Sequence, residues 1–148
     1  METNLYTKPE HDSGARPIEE IIIHCSATPE GRDIGVEEIR NWHVRDRRWK
    51  DIGYHFVIRL DGTVERGRDL KLAGAHCTGH NARSAGVCYV GGTDRNMQPK
   101  DTRTTAQKAA LRRLVRELKK QFPAAEVHGH REFAAKACPC FDVKAEKW

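Results

Sequence analysis

Strand-like and helix-like segments alternate along this chain, and the sequence predicts an α/β fold. Three observations carry that reading. Ile21-Ile22-Ile23 is a β-branched run suited to a buried strand. Tyr54, Phe56 and Ile58 alternate with His55, Val57 and Arg59, the period of a pleated strand. Thr104-Thr105-Ala106-Gln107 matches a capping box, and it opens an apolar stripe of Leu111, Leu114, Val115, Leu118 and Phe122 opposite Arg112, Arg113, Arg116, Lys119 and Lys120.

In chain order, residues 1–17 collect charge, Pro, Ser and Gly without periodicity and read as a flexible arm, with the folded domain running from 18 to 148. The Ile21–Ile23 strand ends at His24, where open α/β sheets place ligands. Cys25, one residue on, turns to the opposite face and reads as a small buried hydrophobe. Val36, Ile39, Trp42 and His43 recur at helical spacing after Gly35 as N-cap, with Glu37 and Glu38 at the positive end of the helix dipole. Tyr54 starts the next strand, and Asp61-Gly62 turns it into Thr63-Val64-Glu65-Arg66. From Leu72 to Ala85 the chain is rich in Gly, Ala, Asn, Ser and His, a loop able to bring backbone close to a ligand. A strand over residues 86–92, the helix from Thr104 to Phe122 and a short strand at Val127 follow.

At 148 residues the chain suits one domain. No apolar run is long enough to cross a bilayer, and the first seventeen residues lack a secretory core. The expectation is therefore no membrane insertion and cytoplasmic synthesis. Five scattered cysteines do not resemble a disulfide framework. A formal charge of +5 favours an anionic partner such as nucleic acid, an acidic membrane or a cell-wall polymer. The basic helix face lacks interleaved aromatics, so no nucleic acid is expected.

The chemistry concentrates in His130-Arg131-Glu132-Phe133-Ala134-Ala135-Lys136-Ala137-Cys138-Pro139, which brings an imidazole, an ammonium and a thiol into one short segment. His24 would complete a two-histidine, one-cysteine set that leaves the fourth position of a tetrahedral zinc open. No CxxC or HExxH supports it, and His128 and Cys140 are rival ligands that pattern alone does not exclude. Lys136 reads either as a solvated lysine or as a cation for a developing oxyanion. Tyr54 reads either as a core aromatic or as a hydrogen-bond donor beside the metal. Asn41, Trp42, Trp49 and Asn81 could pack against a sugar or peptide, with a structural use of the tryptophans an equal reading.

His24-Cys25-Ser26-Ala27-Thr28, Gly53-Tyr54-His55-Phe56, Asp61-Gly62-Thr63-Val64, Gly86-Val87-Cys88 with Val90-Gly91-Gly92, and Lys136-Ala137-Cys138-Pro139 occur in one order. Together they resemble the type 2 N-acetylmuramoyl-L-alanine amidases and peptidoglycan recognition proteins, from about Ile18 to Asp142. The resemblance implies a mixed central sheet flanked by helices, with a groove that holds bacterial peptidoglycan. It implies Zn2+ on His24, His130 and Cys138, catalytic roles for Tyr54 and Lys136, and substrate contact by His76 and Asn81. With no leader evident, it implies a monomeric endolysin of phage or prophage origin that acts on the wall after release. Two alternatives stand on the same fold. One is a non-catalytic peptidoglycan-binding protein, a class that commonly lacks the metal cysteine. The other is a regulator that binds an RNA polymerase, as a phage member does, although no motif here carries that property over. Cys140 and the arm depart from the family pattern.

Overall fold

The computed structural model describes residues 16–148, so residues 1–15 of the expected arm lie outside the described part. Arg16, assigned to that arm, is fastened to the body: its guanidinium donates to the carbonyls of Leu70 and Ala82, each at 3.2 Å. Arg16 thus packs with the folded body.

Five strands form the central sheet: β1 (Glu20–Cys25), β3 (Phe56–Ile58), β4 (Val64–Arg66), β5 (Ser84–Tyr89) and β7 (Glu126–Gly129), in the order β4-β3-β5-β1-β7. β3 and β4 are antiparallel and the other pairs parallel, so the sheet is mixed, as the resemblance implied. Both faces are covered. Ile21, Ile23, Phe56, Ile58, Val87 and Tyr89 pack with Leu111, Leu114, Val115 and Leu118 of helix α2 (Thr105–Gln121). The intervening Val57 and Cys88 pack instead with Val36 and Ile39 of helix α1 (Val36–Asn41). Period-two alternation on a doubly covered sheet therefore sorts successive residues into two cores. By the same parity Ile22 and His24 leave β1 on the side away from α2.

The caps differ in completeness. Thr104 Oγ1 accepts from Gln107 N at 3.0 Å, and Gln107 Oε1 accepts from Thr104 N at 2.9 Å, the reciprocal box the sequence predicts. The buried Gln107 amide also donates to the carbonyls of Ile58 and Val90, which ties α2 to the sheet. Gly35 has no side chain to cap α1, so carboxylates do it: Glu38 accepts from Gly35 N at 2.9 Å and Glu65, on β4, from Val36 N at 2.8 Å.

Three boundaries depart from the sequence reading. Tyr54 does not start β3; the strand begins at Phe56, because the Tyr54 and His55 carbonyls are drawn away to accept from Arg68 N and Gly67 N, each at 2.8 Å. β5 begins two residues earlier than expected and ends at Tyr89. Gly91 and Gly92, at φ of 131° and 106°, then carry the chain into β6 (Gly92–Thr93), which pairs with β2 (Thr28–Pro29) in a small second sheet. Strands of two residues have no readable period. The first helix, finally, does not stay α: from Trp42 to Asp46 it widens into a π-helical turn. Among the described residues no helix is long and apolar enough to cross a membrane.

Candidate active site

β1 and β7 are parallel neighbours, with Ile23 beside Gly129 in register, so their carboxyl ends bring His24 and His130 together. Their ring centroids lie 4.5 Å apart. Cys138 reaches the same point on the loop that follows. The Cys25 amide donates to its Sγ at 3.1 Å, and His24 Nδ1 lies 4.0 Å from that sulfur. One donor atom from each of His24, His130 and Cys138 falls within 4.8 Å of the others, a group that can hold a metal ion. The rival ligands are elsewhere. His128 gives its ring nitrogens to Glu132 at 2.8 Å and Glu126 at 3.2 Å. Cys140 turns its sulfur to Cys25, 3.9 Å away.

Burial holds the His24 imidazole well below its ordinary pKa, and the nearby His76, His130 and Lys136 push it further down. Burial and Lys136 lower His130 in the same direction. Both rings therefore stay neutral and keep a lone pair for a metal. His24 Nε2 lies 2.8 Å from His76 Nδ1, and His76 Nε2 lies 3.1 Å from Ser84 Oγ. With His24 Nδ1 facing the thiol, Nε2 carries the proton and donates to His76, which in turn donates to Ser84. This chain fixes the tautomer and ring plane of His24. His76 lines the groove, yet both of its ring nitrogens are committed within the protein. Asn81 also lines it, while its Oδ1 accepts from the amides of His76 and Cys77 at 2.9 Å each.

The groove has two adjoining hollows, of about 420 and 220 Å3, and His43, Arg47, Tyr54, His130 and Lys136 line both. Among the described residues no aspartate or glutamate lines either one. A groove with cations and no carboxylates suits a substrate that carries carboxylates. The Tyr54 ring centroid is 5.1 Å from that of His24. Burial raises the Tyr54 hydroxyl well above its ordinary pKa, so it remains a protonated donor.

Sequence reasoning assigned no site role to His43 or Arg47. The π-helical turn explains this, since an α-helical wheel does not describe where its side chains point. His43 Nδ1 accepts from Gly53 N at 2.9 Å, which leaves Nε2–H as the donor. The Arg47 guanidinium sits 5.2 Å from the Trp49 ring. The available signal was the basic run Arg47-Arg48 directly before Trp49.

Two histidines make the fold acid-sensitive. Burial lowers His55 to about 3 and, with Arg47 and Arg68 nearby, lowers His43 to about 4. Below pH 6.5 the unfolded chain takes up protons at these rings while the folded chain does not. Stability is therefore fully present above about pH 6.5 and is lost as pH falls toward 4 and 3, with a limiting slope of about 1.4 kcal/mol per pH unit for the deeply buried His55 ring and a smaller, solvent-screened one for His43. Urea denaturation at pH 7 and pH 5 checks it. Equal midpoints at the two pH values would refute it.

Comparison with known proteins gives the chain relatives in sequence and in fold. Residues 14–141 match the family model described as N-acetylmuramoyl-L-alanine amidase. The endolysin of Klebsiella phage KP32 is 51% identical over 125 residues, covering 84% of this chain and 82% of the relative. An endolysin N-acetylmuramoyl-L-alanine amidase, LysCS from Clostridium intestinale URNW, superposes with a TM-score of 0.72 at 29% identity, over 84% of this chain and 76% of that one. Drosophila PGRP-LB gives a TM-score of 0.71 at 27% identity, over 84% and 75%.

Proposed function

This chain belongs to the N-acetylmuramoyl-L-alanine amidase family, and from that membership we propose that His24, His130 and Cys138 hold zinc while Tyr54 and Lys136 act on the substrate. The protein is an endolysin-type amidase that hydrolyses the amide joining the lactyl group of N-acetylmuramic acid to L-alanine in peptidoglycan. The observation that carries the zinc reading is the donor set itself: two imidazoles kept neutral and a thiol on a backbone N–H, within 4.8 Å of one another at the groove. That set fits zinc, which takes nitrogen and sulfur ligands without redox change and, in catalytic sites, three protein ligands. When bound, zinc supplies Lewis acidity toward the scissile carbonyl and toward water.

The chain's own groups do the rest. The Lys136 ammonium stabilises the negative charge that develops on the carbonyl oxygen. The Tyr54 phenol orients water or assists proton transfer to the leaving amine of L-alanine. Arg47 and the His43 Nε2–H bind carboxylates of the stem peptide, and the His76 to Ser84 chain keeps His24 in its ligating orientation. Every group in this reading comes from one copy, so a monomer suffices, and the body from residue 18 to 148 acts as one catalytic domain. We place its synthesis in the cytoplasm and its action on the wall after release.

Purified cell wall, digested and assayed for newly freed L-alanyl amino termini, tests the reading. A single zinc per chain is expected, with release abolished by chelation and restored by added zinc. Full release by metal-free protein would overturn it.

A further inference from the structure

The Cys140 thiol lies outside the metal group. The alternation along β1 that turns His24 away from α2 turns Cys25 toward it, where it is only 4% exposed. There its sulfur is confined by the backbone of Gly92, at which an added Cβ would lie 2.4 Å from Cys25 Sγ. On the open side it meets Cys140 Sγ at 3.9 Å. Cys138 takes the Cys25 backbone N–H at 3.1 Å, and its sulfur also neighbours the Cys25 thiol. One cysteine of the loop thus serves the metal group and the other faces a side-chain thiol.

We propose that Cys25 and Cys140 form a disulfide site that cross-links the end of β1 to the ligand-bearing loop behind the metal group. The oxidant is a low-molecular-weight disulfide, RSSR. Cys140, the more exposed partner, attacks one sulfur of RSSR as a thiolate, forming Cys140–S–S–R and releasing the first RS−. The Cys25 thiol passes its proton to the released RS− and attacks the Cys140 sulfur, forming Cys25–S–S–Cys140 and releasing the second RS−, which takes up the proton lost by Cys140. Two protein thiols are oxidised and one RSSR is reduced to two thiols. The sulfurs need to approach by about 2 Å to reach bonding distance. Because Cys25 follows His24 and Cys140 lies two residues beyond Cys138, the bond holds two metal-ligand segments together.

The test uses the zinc-loaded protein titrated with oxidised glutathione. Expected is an intact mass lower by two hydrogens, and a fragment spectrum joining Cys25 to Cys140. Oxidised protein is expected to melt roughly 5 °C or more above the reduced form and to release zinc to a chelator several-fold more slowly. C140S is expected to keep the activity of the reduced enzyme and to show neither change. C25S gives an independent check should C140S fold poorly. A linkage through Cys138, no linkage at saturating oxidant, or a Cys25–Cys140 bond that leaves zinc release unchanged would each overturn the proposal. Fragment mapping and zinc release are read without amidase turnover, so failure here is distinct from failure of the amidase mechanism.

Discussion

Cys138→Ala is expected to leave the protein without bound zinc and without measurable amidase activity, both losses appearing in the same preparation. The substitution removes the single sulfur from the donor group and leaves His24 and His130 as the remaining ligands. It also strips the Cys25 amide of the acceptor it holds at 3.1 Å. Loss of an outer partner of a metal ligand typically costs about 10–100-fold in metal affinity or activity, and loss of the ligand itself should exceed that. Zinc content by atomic absorption, run alongside the cell-wall assay, decides it. A variant that retains stoichiometric zinc would remove Cys138 from the ligand set. Neither His128 nor Cys140 stands ready to replace it, since the first is held between two glutamates and the second faces Cys25.

Lys136→Ala and Tyr54→Phe are expected to do the opposite: to keep zinc and lose turnover. Lys136 lines both hollows of the groove. Its removal should lower kcat by about 10²–10³-fold, the cost of losing one donor to a developing oxyanion. Tyr54→Phe keeps the ring that packs 5.1 Å from His24 and deletes only the hydroxyl. Because burial keeps that hydroxyl protonated, its contribution is a donated hydrogen bond or proton, worth about 10²–10⁴-fold. Interactions made only in the transition state lower kcat and kcat/KM together. A variant with unchanged kcat and a raised KM would instead mark its residue as a substrate-binding group.

Local patterns foretold most of the architecture. The β-branched run, the 54–59 alternation, the Asp61-Gly62 turn and the capping box at Thr104 each depend on residues a few positions apart, and each matches an element of the structure. Two-residue strands escaped because they have no period, and the π-helical turn escaped because it departs from the 3.6-residue wheel on which the helix reading rests. Arg47 and His43 were lost with it. The hydrogen bonds of His76 to His24 and Ser84 were also hidden, since they depend on loop placement rather than on spacing.

Sequence alone determined the α/β class, the strand end that carries His24, and the segment that carries His130, Lys136 and Cys138. These follow from periodicity and from side-chain chemistry, which are local properties. Spacing left His128 and Cys140 as rivals, the family resemblance implied His130 and Cys138, and the tertiary structure gathers those two with His24. That gathering rests on strand register and parity. β7 pairs with β1 across about a hundred residues of chain, and only that pairing brings His130 to His24 and leaves Cys140 with Cys25.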